Sequence, residues 1–351
     1  MFFILFLTLT TYTTIDLPKI VASSAGRSSW IPILISAFIF GISAVIVTKL
    51  NNMYQGKMLY DYGQEIAGKF FTVLIAIYYI LLYFLIGTYL KIKLATLLKS
   101  NFLPTTPQFV VLIFGILLFG YVAYKGITNV ARVFEIFGVL FILTTVMLST
   151  VMLLEGMSEN ILPFYNSNDA KNFLTTMKDL VTPYTGIGVL LVIPFSSVNK
   201  KAPKAAFLTL LFIGFIYVLL VEGTIMVLGL NNTITLNDSF IEGIKVVQIP
   251  VIERTDIFYL VFGLLSMFAG MISVYVAVLE YSCKLFPRIK RIILMFAIDV
   301  IFFVLSLFGL KINNMRDVFE SFAPYLVIVA CMVIPILLFV VAKVKKQKEK
   351  A

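Results

Sequence analysis

The sequence predicts an all-α membrane protein of about ten transmembrane helices, arranged as a five-plus-five inverted repeat in which helices 1 and 6 are discontinuous. Of its 351 residues, 60% are hydrophobic and only 13% are charged, whereas soluble domains rarely exceed about half apolar residues. Apolar runs of about 20 residues recur along the whole chain, and each can cross roughly 30 Å of hydrocarbon. The runs in first and sixth place are interrupted by proline or glycine.

The predicted spans are separated by short polar connections. They cover residues 1–21, 30–50, 69–98, 107–124, 130–154, 181–198, 203–230, 255–283, 290–310 and 318–342. We assign them to one transmembrane domain over residues 1–351, with repeat one at about 1–154, repeat two at about 181–342 and a basic tail at 343–351. No basic residue precedes the first run and no small-residue cleavage site follows it, so we expect it to remain in the mature protein.

The first span is interrupted by a charge and a proline. Pro18 lacks a backbone donor and disfavours helix at Leu17, which leaves carbonyl groups free beside Asp16. A carboxylate at the centre of a membrane helix costs at least about 2.5–3.5 kcal/mol, so it is rarely present without a partner or a function. Transporter-like folds use such broken helices to bind small molecules near the midplane. We therefore expect Thr13, Thr14 and Asp16 to contribute to a ligand site.

Two interpretations of Asp16 remain open at this stage. In one, its carboxylate pairs with a ligand ammonium group or carries a coupling proton. In the other, it forms a structural ion pair with Lys91 or Lys93 of the third span.

The sixth span is predicted to break at Thr182-Pro183-Tyr184-Thr185-Gly186-Ile187-Gly188. Each glycine lowers helix propensity by about 1 kcal/mol. Interrupted spans at corresponding places in two halves point to a transporter fold whose site lies where the breaks meet. We expect ligand contacts from Tyr184, Thr185, Gly186 and Gly188. Free backbone groups and helix dipoles there would favour a carboxylate, so that, together with Asp16, an α-amino acid fits the predicted site.

Other polar residues inside predicted spans are also candidates. Tyr79 and Tyr83 are four residues apart and share one helix face. They either close the site, with Tyr83 as the expected ligand contact, or serve packing or lipid contact. Acids within spans are functional candidates by default. Asp299 lies near the middle of its span and is a candidate for proton or ion coupling. Glu222 is a further candidate, although it lies close enough to the outer end to reach water.

Small residues and two long connections complete the outline. The eighth span has a small-residue face, interpreted as close helix packing rather than ligand contact. Its members are Ala269, Gly270, Ser273 and Ala277. Short helices that lie on the membrane surface are expected at about 172–180 and 239–247, either as lids or as ordinary packing.

Basic residues predict the orientation and the nature of the tail. Cytoplasmic connections carry an excess of lysine and arginine, and most of the basic residues fall on one side if both termini are placed there. Both termini are therefore expected to be cytoplasmic. The dense basic run, 343–350, is expected to bind anionic lipid, and no nucleic-acid partner is predicted.

The sequence gives no indication of an enzyme. Histidine is absent, and Cys283 and Cys331 lack the paired spacing of a metal site or a disulfide. Phosphate-binding loops and nucleophile elbows are not found. We therefore expect no catalytic residues, no metal and no cofactor.

Three loop motifs give the chain a resemblance to the spore germination permease family. They are Leu103-Pro104-Thr105-Thr106-Pro107, Tyr124-Lys125-Gly126-Ile127 followed by Val130-Ala131-Arg132, and Ile252-Glu253-Arg254-Thr255-Asp256. The resemblance extends over essentially the whole chain, including the region of Pro18 and Trp30. Glu253 and Arg254 are expected to make a structural link or a partner contact.

This resemblance implies a B subunit of a nutrient germinant receptor, related to the amino acid/polyamine/organocation transporter superfamily. Such a subunit lies in the endospore inner membrane, binds a small nutrient, often an amino acid, and acts with an A subunit and a lipoprotein C subunit. The chain departs from the family pattern at Tyr12-Thr13-Thr14-Ile15-Asp16, where a glycine-containing stretch is common, and at Ile187-Gly188, where an acidic residue is common. These departures affect the prediction of which ligand is bound more than the resemblance to the family.

Two other functions compete with the receptor subunit. An autonomous proton-coupled amino acid transporter would have the same architecture. A purely structural membrane scaffold is disfavoured, because it has no need of two matched helix breaks or of buried acids.

Overall fold

The computed structural model describes residues 2–10, 16–166, 169, 172–195, 198–236, 238–247, 255–312 and 315–348. In this part of the chain every regular element is a helix. Seven helices are long and apolar enough to cross a membrane, and the shorter apolar helix Gln108–Tyr124 adds another. Together with the first span, described as α1 and α2, and the sixth span, they account for the ten predicted crossings.

The helices follow the predicted spans closely. In chain order they are α1 (Phe2–Thr10), α2 (Leu17–Ala25), α3 (Trp30–Met53), α4 (Leu59–Ala67), α5 (Lys69–Asn101), α6 (Gln108–Tyr124), α7 (Ile127–Glu155), α8 (Phe173–Asp179), α9 (Ala202–Leu228), α10 (Leu230–Thr235), α11 (Ser239–Val246), α12 (Thr255–Leu285), α13 (Arg291–Gly309), α14 (Met315–Ile328) and α15 (Ile334–Lys348). The two surface helices expected in the long connections are present as α8 and α11. The short helix α4, between the second and third spans, was not predicted.

Tight turns between helices depend on glycines with positive φ. Gly126, in the Tyr124-Lys125-Gly126-Ile127 motif, has φ +91° and connects α6 to α7; Gly68 has φ +84° and connects α4 to α5. Glycine adopts this region without the steric cost that a Cβ atom brings. The glycine of the loop motif is therefore explained by backbone geometry.

Two helices are described in the first span: α1 covers Phe2–Thr10, and α2 begins at Leu17 with Pro18 in its first turn. The rest of the predicted break, 11–15, lies outside the described residues. Helix α1 lies at the centre of the bundle, in contact with α7, α9, α12 and the sixth span. Leu5, Phe6 and Leu9 are all completely buried, so this half-helix is surrounded by protein rather than by lipid.

The sixth span departs from α-helix more extensively than predicted. Thr182–Leu191 forms a 3₁₀ helix of 10 residues, all of them buried, where the sequence had suggested α-helix on both sides of a local break. Runs of 3₁₀ helix longer than 3–4 residues are uncommon, because their hydrogen-bond geometry is poorer than that of an α-helix. Gly186 and Gly188 weaken the α-helical alternative, and the contacts of this segment with α1, α3, α12 and α14 favour the compact path.

The tenth span contains an irregularity that was not predicted. Helices α14 and α15 are separated by a π-helical segment, Val329–Val333. Pro335 lies just after it and has no N–H to donate to the carbonyl of Cys331, its normal α-helical acceptor. A proline ring also clashes with that carbonyl, so the backbone widens before Pro335.

Polar contacts group the loops at two ends of the bundle. At the end that holds the basic tail, called here the tail end, Lys345 donates to the backbone of Glu65 at 3.0 Å and Lys284 pairs with Asp61 at 2.7 Å. At the other end, the opposite end, Trp30 donates to the carbonyl of Phe164 at 3.0 Å. The loops are therefore divided between the ends as the alternation of spans predicts.

Candidate functional site

A narrow cavity lies between the end of α1 and the sixth span, where the two irregular spans meet. This central cavity has an empty volume of about 170 Å³ and is too narrow to hold a water molecule. Its lining residues are Thr8, Tyr83, Thr185, Gly186, Val189, Gly270, Ser273 and Val274. The polar groups of its lining residues are hydroxyls and backbone.

Glycines let the two irregular spans approach each other closely. A Cβ atom added to Gly186 would lie 2.6 Å from Thr8 Oγ1 and 3.0 Å from the Thr8 backbone carbonyl carbon. One added to Gly188 would lie 2.6 Å from the hydroxyl of Tyr83. No real Cβ tolerates such distances, so both positions require glycine in this conformation. Gly186 lines the cavity, and Gly188 packs against the hydroxyl of Tyr83.

Tyr79 and Tyr83 lie inside the protein rather than at the lipid. Their rings stack at 6.0 Å between centroids, and both side chains are almost completely buried. Tyr79 donates a hydrogen bond of 2.6 Å to the carbonyl of Ala330, in the π segment of the tenth span. Tyr83 reaches the central cavity. One face of α5 therefore connects the cavity to the tenth span.

Asp16 forms an ion pair with Lys93 of α5, with both side chains largely buried. This is the structural interaction that the sequence left open, and Lys93 rather than Lys91 provides it. Asp16 also occupies the N-cap position of α2, where a negative charge is favoured by the helix dipole. The side chain does not line the central cavity.

Tyr184 and Thr185 point to different surroundings. Tyr184 is fully buried and stacks on Phe40 of α3, with centroids 4.5 Å apart and planes 9° apart. It also meets Tyr217 of α9 edge-on at 6.4 Å. Thr185 lines the cavity and donates to the carbonyl of Thr182 at 2.6 Å. Tyr184 is therefore a packing residue behind the cavity in this conformation.

Glu222 and Asp299 lie in separate places, and neither lines the central cavity. Glu222, on α9, is 8% exposed and lies beside the backbone of Trp30, at the start of α3. The dipole of α3 favours a negative charge there, whereas burial opposes it, and neither carboxylate oxygen has a hydrogen-bond partner among the described residues. Asp299, on α13, is 7% exposed and accepts a hydrogen bond of 2.6 Å from Tyr275 of α12.

Several predicted residues lie outside the described part of the chain. These are Thr13 and Thr14, expected at the ligand site, and Glu253 and Arg254 of the third loop motif.

Five residues of the cavity were not singled out as ligand contacts from the sequence: Thr8, Val189, Gly270, Ser273 and Val274. From the sequence, Gly270 and Ser273 were interpreted as positions of close helix packing. In the structure both also line the cavity, and Ser273 donates to the carbonyl of Ala269 within α12 at 2.9 Å. Thr8 precedes the predicted break by five residues. A signal was available, because Thr8 and Thr10 are the polar residues in an otherwise apolar stretch, 2–10.

Comparison with known proteins identifies the family. Residues 1–315 match the family model described as Spore germination protein, Spore_permease. This chain belongs to the spore germination permease family. A curated relative, the spore germination protein YndE of Bacillus subtilis (strain 168), is 22% identical over 352 residues, which covers 96% of this chain and 93% of YndE.

Solved transporters share the fold of this germination permease. MhsT in complex with L-phenylalanine matches with a TM-score of 0.66 and 13% identity, over 97% of this chain and 87% of MhsT. Mhp1, a nucleobase-cation-symport-1 family transporter in a closed conformation with bromovinylhydantoin bound, gives 0.65 and 14%, over 96% and 77%. A Na⁺-coupled sialic acid symporter gives 0.59 and 13%, over 95% and 79%. The predicted fold class is confirmed.

Proposed function

We propose that this protein is the permease-like subunit of a spore nutrient germinant receptor, which binds a small nutrient at the central cavity and signals to partner subunits. The observation that carries the proposal is the contact of Thr8 with Gly186, which brings the first and sixth spans together at a buried cavity. Transporter-like folds bind their substrates between such spans.

An amino acid is the ligand class that the cavity supports best. The hydroxyls of Thr8, Thr185 and Ser273 donate to carbonyls of their own segments and can still accept hydrogen bonds from a ligand ammonium group. The 3₁₀ backbone around Gly186 supplies peptide groups to a ligand carboxylate. Val189 and Val274 line the remaining wall and suit a small apolar side chain. The L-phenylalanine bound by MhsT is compatible with this ligand class.

Ligand entry requires the cavity to open. An amino acid needs more room than a cavity too narrow for water, so binding must separate α1 from the sixth span or rotate Tyr83. A ligand shifts a conformational equilibrium only as far as it prefers one state. Nutrient that binds the opened form thus supplies the free energy of the signal.

The tenth span is the element through which we propose that the signal passes. The thiol of Cys331 lies 3.6 Å from the carbonyl of Tyr184 and 3.7 Å from that of Thr185, so the π segment touches the sixth span directly. Ser43 of α3 donates to the carbonyl of Cys331 and Tyr79 to that of Ala330. A displacement of the sixth span therefore reaches α15 and the basic tail.

We further propose the setting of this signal. The protein would lie in the endospore inner membrane with both termini cytoplasmic, and its partners would be a receptor A subunit and a lipoprotein C subunit. The basic tail, with Lys343 and Lys345, would rest on anionic lipid headgroups, since clusters of basic residues next to a membrane helix bind them.

A nutrient dose-response experiment tests the ligand site. Spores that carry Ser273→Val, which fills the central cavity, are compared with spores that carry Ser282→Val, on the same helix but outside the cavity. Germination is followed against a panel of L-amino acids. We expect Ser273→Val to raise the half-maximal concentration about tenfold or more, equivalent to a loss of about 1.4 kcal/mol in binding. Equal dose-response curves for the two variants, at equal protein levels, would contradict the proposal.

One observation favours the alternative of an autonomous transporter. A charged cleft lies at the tail end, lined by Gly56, Met58, Asp61, Val192, Pro194, Glu280 and Lys284. Val192 follows the 3₁₀ segment directly, so a ligand released from the sixth span could leave through this cleft. Purified protein in liposomes, given labelled L-amino acids under a pH gradient, separates the two functions: uptake without partner subunits would favour the transporter.

A further inference from the structure

Lys91 is a buried cation whose ammonium group has no hydrogen-bond partner among the described residues. It lies on α5 and is 2% exposed. Its Nζ atom is 3.3 Å from the ring centroid of Phe302 on α13 and 5.8 Å from that of Phe119 on α6. Aromatic faces attract a cation, but they do not replace the hydrogen bonds that its three N–H groups make in water.

Asp299 provides an opposite charge in the same cluster. One carboxylate oxygen, Oδ1, accepts the hydrogen bond from Tyr275, while Oδ2 has no partner among the described residues. The charged and titratable groups that act on Lys91 and Asp299 are each other and Tyr275. No hydrogen bond joins Lys91 to Asp299. Phe302 lies one turn after Asp299 on α13 and receives the ammonium group on its ring.

The surrounding helices leave little freedom around this cluster. A Cβ atom on Gly120 of α6 would lie 2.9 Å from Oδ1 of Asp299 and 3.1 Å from the hydroxyl of Tyr275. One on Gly87 of α5 would lie 2.7 Å from the ring of Phe302. Small movements of α5 or α13 would thus change the separation of the two charges, and with it the preference of Asp299 for its ionised or its protonated form.

We propose that Lys91, Asp299 and Tyr275 form a proton-binding site, distinct from the central cavity, that exchanges one proton with water as the helices move. When Lys91 approaches Asp299, both groups are charged; when Phe302 holds the ammonium group away, Asp299 takes up one proton from water. An O–H bond forms at the aspartate carboxylate as a hydronium ion in the water gives up its proton, Lys91 keeps its proton, and no other bond forms or breaks.

The proton site is connected to the central cavity through two helices. Tyr275 follows Ser273 and Val274, which line the cavity, and Lys91 follows Tyr83 by two helical turns. Any influence of the proton site on the nutrient response rests on the proposed function. The existence of the proton site does not, because its protonation is measured without nutrient.

Infrared spectroscopy of the purified protein in lipid nanodiscs tests the site directly. We expect the pH-difference spectrum to contain the C=O band of a protonated carboxylic acid, and Asp299→Asn to remove it. In Lys91→Met the band should persist to a pH about 1 to 3 units higher, the size of a neighbouring cation's effect on an aspartate. The matched controls are Glu65→Gln and Lys57→Met, which remove an exposed ion pair of the same charges and should leave the band unchanged.

Three further measurements support the test, and the first two do not need Asp299→Asn to fold. Labelling the wild type with ¹³C-aspartate shifts the band only if an aspartate carries the proton, and Lys91→Arg, which keeps the cation, should titrate like the wild type. The thermal unfolding midpoint of Lys91→Met/Asp299→Asn should exceed that of either single variant. A band insensitive to Asp299 and Lys91, or its absence at every pH, would mean a permanently charged structural pair and would overturn the proposal.

Discussion

Single atoms decide how the two irregular spans fit together. The hydrogen atom of Gly186 occupies a space bounded by the side chain and backbone of Thr8, and the hydrogen atom of Gly188 faces the hydroxyl of Tyr83. Side chains at either position would push the first span or α5 away. The central cavity therefore exists in its present form because two residues of the sixth span have no side chain.

Gly186→Ala should loosen this contact. Its Cβ atom would overlap with Thr8, and overpacking of a tight interior typically costs about 1–3 kcal/mol. We expect a lower thermal unfolding midpoint in nanodiscs and a weakened nutrient response in spores. Gly115→Ala on α6 is the matched control, since its Cβ would meet Phe119 at an ordinary 3.4 Å. A Gly186→Ala protein as stable and as responsive as the control would show that the contact is unimportant.

The ion pair of Asp16 with Lys93 leads to a prediction about stability. Removing one partner of a buried pair leaves an uncompensated charge and costs about 3–5 kcal/mol. Asp16→Asn and Lys93→Met should each lower the unfolding midpoint, and the double variant should recover a large part of the loss.

A nutrient dose-response on the same three variants separates structure from recognition at Asp16. If the double variant regains stability and also the nutrient response, the carboxylate is needed only to fix α2 against α5. If stability returns and the response does not, Asp16 also takes part in ligand binding. If the decrease in unfolding midpoint of the double variant equals the sum of the decreases in the two single variants, Asp16 and Lys93 do not stabilise each other.

At the scale of elements, the tenth span shows how a proline creates acceptors for other helices. Pro335 leaves the carbonyl of Cys331 without its α-helical donor, and within a π turn it would also be the partner of Ala330. Ser43 and Tyr79 donate to these two carbonyls from α3 and α5. Three helices are thereby joined by side-chain hydrogen bonds where the tenth span is weakest.

Tyr79→Phe should destabilise this junction without altering its shape. Loss of the hydroxyl leaves the carbonyl of Ala330 unsatisfied in a buried environment, at a cost of about 1–3 kcal/mol. Amide hydrogen exchange around Val329–Val333 should accelerate. Tyr121→Phe, on a side chain that is 59% exposed on α6, is the control and should leave exchange unchanged. Unaltered exchange in Tyr79→Phe would contradict a stabilising role for its hydroxyl.

The elements also show what the sequence could predict. Hydrophobic runs indicated the spans, because crossing a membrane requires about 20 apolar residues, and Pro18 and Gly186 indicated the irregular spans. The partner of Asp16 could only be narrowed to Lys91 or Lys93, because residues two apart on a helix face different directions and span boundaries were uncertain. The cluster of Lys91 with Asp299 and Tyr275 depends on three helices far apart in sequence, so no local pattern predicts it.

For the whole molecule, polar contacts join the loops within each of the two ends of the bundle. Lys284 with Asp61, Arg291 with Glu280 at 2.6 Å, and Lys345 with Glu65 join the loops of the tail end. Trp30 and Phe164 join loops at the opposite end. Since the central cavity is too narrow for a water molecule, entry of a ligand from either end requires these loops or the helices beneath them to move.

The excess of basic residues at the tail end predicts that this end faces the cytoplasm. In a background of Cys283→Ser and Cys331→Ala, single cysteines are introduced as Lys57→Cys at the tail end and Leu174→Cys on α8 at the opposite end, where the leucine is 81% exposed. A membrane-impermeant maleimide applied to intact cells should label Leu174→Cys and spare Lys57→Cys, and both should react after lysis. Because all spans alternate, the reverse pattern would invert the entire molecule and move the basic tail away from the cytoplasmic leaflet, while labelling of both sites in intact cells would be incompatible with the ten-span topology.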